Sequence, residues 1–212
     1  MPNISGNFNT TEEEKKAVTE FLKNMGCDLK QCKIRRHGGE NVSNSLIMDE
    51  GDIDVLLPDG RTILFEVKNE SWYRFKKYGQ LGVDFISVFY FKEHCSFRKG
   101  VCGPHEYDKF INTVDMENNF KWGKIKYSQS KIWLFYSREN DNGSYRFLTG
   151  YDYVKIREER NIEYLSQHCY FAINNKSSNQ MSCSDTWNSA VFFVEQDVFK
   201  DYIITQKEFA EI

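Results

Sequence analysis

The sequence predicts an α/β fold, and three features support that prediction. The chain has 212 residues, 40% of them hydrophobic, which suits one domain with a core of its own. An amphipathic helix pattern comes first, and a β-hairpin pattern follows it. A second helix pattern and an apolar run of strand character come after the hairpin. The expected order of elements is therefore helix, three strands, helix and strand.

The first element is a predicted helix over residues 11–25. Thr10 or Thr11, followed three residues later by an acid, forms a capping box, and Gly26 provides the C-terminal stop. Glu14 precedes the first residue of the apolar stripe by four positions, so it points along that stripe. The stripe consists of Val18, Phe21, Leu22 and Met25.

Further elements are predicted on either side of the hairpin. Residues 28–36 are assigned to a first strand, and a polar loop follows it. After the hairpin, Ser71 caps a helix that runs to about Leu81. Residues 84–91, DFISVFYF, form a buried strand.

The hairpin, residues 51–68, has the clearest pattern in the chain. Side chains alternate with period two on both sides of Pro58-Asp59-Gly60. Proline presets the first turn dihedral, aspartate bonds to its own backbone, and glycine accepts the left-handed conformation, so these residues form the loop. Turn length fixes the register, and this loop places Asp54 opposite Leu64.

This register places Asp54, Glu66 and Lys68 on one face of the hairpin. Diagonal cross-strand neighbours lie roughly 7 Å apart at the backbone, close enough for two carboxylates to share a divalent cation. A two-residue loop would put Asp54 and Glu66 on opposite faces. Asp52 is the alternative first acid, because the same register places it opposite Glu66.

An acid near the end of one strand, followed by Glu-Xaa-Lys on the next, resembles the PD-(D/E)xK nuclease superfamily, which includes restriction endonucleases and Holliday-junction resolvases. By this resemblance Asp54 is the acid of the first motif, although no proline precedes it, and Glu66 and Lys68 are the Glu and Lys of the second. The resemblance implies a restriction-endonuclease-like core with a mixed β-sheet flanked by helices, at about residues 11–92. Residues 93–212 are then an elaborated C-terminal half of the same domain.

The resemblance also implies a mechanism of phosphodiester hydrolysis. Asp54 and Glu66 would bind Mg²⁺, with Mn²⁺ as a substitute, since carboxylate oxygens are the hard ligands that Mg²⁺ prefers. Lys68 would orient or activate the attacking water and stabilise charge on the phosphorane. Glu14 resembles a glutamate that relatives carry on the first helix, and Gln80 a glutamine or lysine on the helix after the Glu-Xaa-Lys strand. A glutamate that complements the helix dipole and a surface glutamine are the alternatives.

Basic residues in three places are candidates for nucleic-acid contact. One group precedes the hairpin, one lies on the second predicted helix, and one lies in residues 120–133, the basic aromatic segment, where lysines alternate with aromatic residues. Lysines contact phosphates and aromatic rings stack on bases, whereas a solvated face is the alternative. The candidates are Arg35, Arg36, Arg74, Lys76, Lys77, Lys121, Lys124 and Lys126.

One segment suggests a zinc site, because it contains His94, Cys95, Cys102 and His105. Structural zinc sites pair cysteines two to four residues apart. Cys95 and Cys102 have six residues between them, so a basic surface loop is the competing interpretation.

Charge and composition restrict the compartment and the partners. A net charge of −3 gives no global attraction to nucleic acid, so DNA binding requires a local basic patch and a metal. No apolar run approaches the roughly 20 residues needed to span a bilayer, and the first residues contain no apolar signal core. The sequence predicts a cytoplasmic protein with no membrane partner and with six cysteines as free thiols.

The predicted function is that of a Mg²⁺-dependent endonuclease acting on DNA. A homodimer is left open, and so are the form of the substrate and its sequence specificity. Two other classes are also left open: a non-catalytic nucleic-acid-binding or structural protein that retains the nuclease fold, and a zinc-stabilised interaction module.

Overall fold

The computed structural model describes residues 5–36, 52–70, 72–92, 100–118, 120–138, 144–175 and 188–212. Within these ranges the chain forms two compact units. The first unit draws on residues up to 77, on 128–156 and on 199–212, and the second on 78–127 and 157–198. Because the chain leaves the first unit and returns to it twice, neither unit is continuous in sequence.

Helices and strands are interspersed along both units. In chain order they are α1 (Ser5–Asn24), β1 (Lys33–Arg36), β2 (Ile53–Leu56), β3 (Thr62–Asn69), α2 (Trp72–Tyr78), β4 (Gln80–Phe91), β5 (Val101–Cys102), a 3₁₀ turn (Pro104–Glu106), α3 (Tyr107–Thr113), β6 (Val114–Asp115), β7 (Lys121–Trp122), α4 (Lys124–Tyr127), β8 (Ile132–Arg138), β9 (Tyr145–Asp152), α5 (Tyr153–Glu159), α6 (Ile162–His168), β10 (Tyr170–Asn175), β11 (Asn188–Glu195), α7 (Gln196–Phe199), a second 3₁₀ turn (Lys200–Tyr202) and α8 (Gln206–Glu211).

The first unit is a mixed β-sheet flanked by helices. Its strand order is β1-β2-β3-β8-β9, and the pairs are antiparallel except for β3 and β8, which are parallel. Helix α1 packs on one face of the sheet, and Tyr153, which begins α5, lies against Trp133 on the other, with ring centroids 4.5 Å apart. The mixed α/β class predicted from the sequence is therefore confirmed.

The core between α1 and the sheet contains the predicted apolar stripe. Val18, Phe21 and Leu22 are buried, and Met25 packs against the same cluster. The predicted start of the helix is wrong, because α1 begins at Ser5 instead of residue 11. Once the packed half of a helix has formed, each further residue adds a hydrogen bond at little cost, so internal threonines need not act as caps.

The second unit is built on a second sheet, which the sequence pattern does not separate from the core. Its strand order is β5-β10-β11-β4-β6, and β7 also pairs with β4. Its core is aromatic: the rings of Phe85 and Phe192 stack with centroids 3.9 Å apart, and Phe110 and Phe171 pack edge-on against Phe85. Long antiparallel pairing of β4 with β11 joins segments far apart in the chain.

The strand predicted over residues 84–91 exists but does not belong to the first sheet. It is part of β4 and pairs with β11, whereas β8 is the parallel neighbour of β3. The strand that lies parallel to β3 therefore comes from residues 132–138 and not from residues 84–91. Strand pairing across such sequence distances depends on tertiary packing, which local apolar patterns do not encode.

Two further observations concern membrane spans and thiols. In the described ranges, no helix is long and apolar enough to cross a membrane. Four cysteines fall in these ranges, and all of them are free thiols: Cys27, Cys32, Cys102 and Cys169.

Candidate active site

The hairpin has the predicted loop and the predicted register. Leu57 N–H donates to the Arg61 carbonyl at 2.8 Å, so residues 58–60 form the loop. Gly60 has φ +88°, the left-handed conformation that this position requires. Asp54 lies opposite Leu64, as predicted.

The register places Asp54, Glu66 and Lys68 on one face of the sheet. Side chains directly opposite each other share a face, and so do alternate residues of one strand, so the face of Asp54 and Leu64 includes positions 66 and 68. Helix α1 packs against the other face, which contains Ile53, Phe65 and their apolar neighbours. The predicted juxtaposition of the three charged residues on one face is confirmed.

Both carboxylates are buried, which is costly for ionised groups unless something compensates their charge. Asp54 and Glu66 are each 1% exposed, and Lys68 is half-buried. Glu66 lies beside Trp133 of the parallel strand β8, and Lys68 lies beside Phe135. On the β8 side, the neighbours of Glu66 and Lys68 are therefore aromatic.

Among the described residues, Asp54 has a charged partner on one carboxylate oxygen and no hydrogen bond on the other. Arg35, directly across from it on β1, donates from Nε to Asp54 Oδ2 at 2.5 Å. The Arg35 side chain is 74% exposed, whereas that of Asp54 is 2% exposed. Asp54 Oδ1 is buried and makes no hydrogen bond within the described part of the chain. A buried, unsatisfied carboxylate oxygen calls for an explanation, and a metal ion is one.

Asp52, the alternative first acid, has a structural role in the hairpin. Its Oδ2 accepts a hydrogen bond from Val67 N–H at 2.8 Å, and its own N–H donates to the Phe65 carbonyl at 2.8 Å. Both contacts hold the open end of the hairpin together. The geometry therefore favours Asp54 over Asp52 as the first metal ligand.

The two assisting residues predicted from the resemblance are placed differently from the central three. Glu14 is half-buried on α1, the helix that packs on the opposite face of the sheet, so its role stays a prediction. The prediction that Gln80 lies on a helix is wrong. Gln80 begins strand β4 and pairs with Glu195. The helix ends earlier because Gly79, at φ +63°, turns the chain directly after Tyr78.

The basic candidates fall in both units. Lys76 and Lys77 are exposed at the end of α2. In the basic aromatic segment, Lys121 and Lys124 are half-buried and Lys126 is exposed. The side chains of Arg36 and Arg74 lie outside the described residues, as do His94 and Cys95 of the zinc candidate.

The contact between Arg35 and Asp54 is absent from the sequence predictions. Arg35 is a candidate phosphate contact by its sequence, and the structure instead pairs it with the buried acid. The signal in the sequence is weak, because the register of β1 against β2 depends on a long connection whose length does not fix pairing.

Across the described ranges, no group of three or more histidine, cysteine, aspartate or glutamate side chains is arranged to hold a metal ion. A site on Asp54 and Glu66 would therefore have two protein carboxylates, and water or substrate would complete it. Comparisons of the chain with protein-family models, with curated proteins and with solved structures gave no match.

Proposed function

We propose that the protein is a Mg²⁺-dependent endonuclease of the PD-(D/E)xK type that acts on DNA. The observation that supports this best is the face of the hairpin on which Asp54, Glu66 and Lys68 lie together, with both carboxylates buried. Burying two acids beside a lysine on one sheet face costs free energy of folding, and such arrangements are typical of functional sites.

The order of elements in the first unit supports the restriction-endonuclease-like fold. A helix, an antiparallel set of three strands and a second helix precede a strand that is parallel to the Glu-Xaa-Lys strand. In this proposal β8 takes the place of the fourth core strand. The segment between α2 and β8 is then an insertion into the nuclease core.

The donor set fits Mg²⁺. Asp54 and Glu66 present only oxygen atoms, and Asp54 Oδ1 has no hydrogen bond within the described ranges. When bound, the ion would supply Lewis-acid polarisation of a phosphate and lower the pKa of a coordinated water. Mn²⁺ as a substitute ion is part of the same proposal.

The residues of this face would then have different catalytic roles. Asp54 and Glu66 would hold the ion, and Trp133 beside Glu66 would help to keep bulk water away from it. Lys68, half-buried beside Phe135, would present its ammonium to the attacking water and to the negative charge that develops on phosphorus. Strand positions rather than loops carry all three, so their spacing is rigid.

One observation favours a second candidate, a non-catalytic nucleic-acid-binding protein that retains the fold. Arg35 already supplies a positive charge to Asp54, as a buried acid with a purely structural role would require. In that case DNA binding would be insensitive to Mg²⁺, and no cleavage would occur.

A digestion panel with Mg²⁺, Mn²⁺ or EDTA on duplex, branched and single-stranded DNA distinguishes the endonuclease from the non-catalytic nucleic-acid-binding protein. Asp54→Asn keeps the shape of the side chain but removes a ligand charge, so Mg²⁺ binding and cleavage should fall together. Lys68→Ala should lower cleavage by about a hundredfold or more while Mg²⁺ binding persists.

Asp52→Asn is the matched control. It keeps an oxygen that can accept from Val67 N–H, so the hairpin and the activity should both survive. Calorimetry of Mg²⁺ binding accompanies the cleavage assay on all variants. Full activity in both Asp54→Asn and Lys68→Ala would end the proposal, and an exchange of the two aspartate phenotypes would make Asp52 the ligand.

A further inference from the structure

The second unit contains a pocket that the catalytic proposal does not use. Its volume is about 960 Å³, and all of its lining residues belong to this unit. Small-molecule sites in proteins are typically clefts of roughly 300–1,000 Å³. The walls come from the 3₁₀ turn and α3, from the basic aromatic segment, and from the end of α5 and the start of α6.

On one wall of the pocket, a lysine ammonium lies over an aromatic ring. Lys126 Nζ lies 4.1 Å from the centroid of the Trp122 ring, and both residues line the pocket. Trp122 is half-buried and Lys126 is exposed, so the indole holds an ammonium that water still reaches. Arg157, from α5, adds a second positive charge to the lining. An anionic group is the ligand that these two charges favour.

A second aromatic ring of the lining, that of Tyr107, packs against the core of the unit. The ring of Tyr107 packs on Phe192 and Phe171, with centroids 5.9 and 6.0 Å away. Burial raises the pKa of the Tyr107 hydroxyl, which therefore remains a neutral hydrogen-bond donor at physiological pH. Tyr107 thus offers the pocket a rigid side chain with one polar end.

The lining also contains two acids, Asp108 on α3 and Glu163 on α6. Asn161 caps α6 by accepting a hydrogen bond from Tyr164 N–H, which fixes the segment that carries Glu163. Carboxylates at neutral pH accept hydrogen bonds and donate none. The pocket therefore fits a ligand that has an anionic end, a flat ring and an amino group.

We infer that this pocket binds a single unstacked nucleotide whose base carries an exocyclic amino group. The phosphate lies at Lys126 and Arg157, the base contacts Trp122 and Tyr107, and its amino group donates to Asp108 or Glu163. The inference rests on the proposed function in one respect, that the nucleotide belongs to the DNA substrate. Nucleotide binding itself is independent of cleavage, because Asp54, Glu66 and Lys68 do not line the pocket.

Calorimetry with dCMP and dTMP tests this on the full chain. These nucleotides are of similar size, but only cytosine carries an exocyclic amine in place of the thymine carbonyl. The measurement is made in EDTA, so a failure of the nuclease proposal does not affect it. Saturable binding of dCMP, and weaker binding of dTMP, is the expected result.

Variants locate the site. Lys126→Ala should weaken dCMP binding by roughly tenfold or more, because it removes a charge-assisted contact. Glu163→Gln should reduce the preference for dCMP over dTMP. Lys109→Ala is the matched control, an exposed lysine of the same unit that does not line the pocket, and it should change nothing.

Three results would overturn the inference. The first is the absence of saturable binding of either nucleotide up to ~10 mM. The second is an equal loss of dCMP affinity in Lys126→Ala and Lys109→Ala. The third is full competition by inorganic phosphate at the same concentration as dCMP. The last would reduce the pocket to a plain anion site. Cleavage without nucleotide binding would leave the nuclease proposal intact, and binding without cleavage would leave the pocket intact.

Discussion

Replacing Arg35 with alanine should tighten Mg²⁺ binding and at the same time destabilise the metal-free protein. Arg35 Nε donates to Asp54 Oδ2 at 2.5 Å, so arginine and metal compete for the same carboxylate. Two unit charges about 4 Å apart attract by ~1 kcal/mol in water and ~4 kcal/mol at an effective dielectric constant of about 20.

The exposure of the two partners decides between these values. The Arg35 side chain is 74% exposed, so solvent screens most of its charge, although Asp54 itself is buried. We expect a value near the lower end, about 1.4 kcal/mol, which corresponds to a tenfold gain in Mg²⁺ affinity. In EDTA the same change leaves Asp54 Oδ2 without its donor, which costs ~1–3 kcal/mol of unfolding free energy.

The assays are calorimetric titration with Mg²⁺ and urea denaturation with and without the ion. Lys33→Ala is the control, because Lys33 is exposed on the same strand two residues earlier and pairs with Leu56 instead of an acid. Saturating Mg²⁺ should restore the stability of Arg35→Ala, since a ligand of the native state stabilises it by mass action. Unchanged or weaker Mg²⁺ binding in Arg35→Ala would refute the competition and remove Asp54 as the ligand.

Three further predictions concern other parts of the chain. Replacing Lys121, Lys124 and Lys126 of the basic aromatic segment with alanine should weaken DNA binding and flatten its salt dependence, because fewer counterions are released. An unchanged slope would assign these residues to a solvated face. Gly123→Ala should cost the second unit ~1–3 kcal/mol, measured by denaturation. Its Cβ would lie 2.2 Å from the Asp84 carbonyl oxygen, and unchanged stability would contradict that contact. Hydrogen bonds from the backbone N–H and hydroxyl of Thr205 hold the pKa of Glu208 below its ordinary value. Its stabilising effect is present at neutral pH and lost as the pH falls through that lowered pKa, so denaturation of wild type and Glu208→Gln should differ at about pH 7 and converge at about pH 3.

The candidate site could be predicted from sequence because its geometry is local. The loop residues Pro58-Asp59-Gly60 determine a turn length, and the turn length determines which side chains share a face. Asp54 and Glu66 are only a hairpin apart, so no distant part of the chain is needed to bring them to one face. The buried stripe of α1 was predictable for the same reason, since helical spacing alone places Val18 and Leu22 together.

The partners of the hairpin were not predictable in this way. Residues 84–91 and residues 132–138 are both apolar runs with strand character, and nothing in either run says which one will lie beside β3. The choice depends on how many side chains each strand buries against distant neighbours, a property of the assembled sheet. The pairing of Arg35 with Asp54 was not predictable for the same reason.

Period-two alternation and a three-residue loop leave one register, so the face that carries Asp54, Glu66 and Lys68 follows from local sequence. Three other features follow only from long-range packing: β8 lies beside Glu66 and Lys68, Gln80 belongs to a separate sheet, and a pocket forms in the second unit. Each of these depends on contacts between residues far apart in the chain, whose free energy comes from burial in the folded state and not from any local pattern.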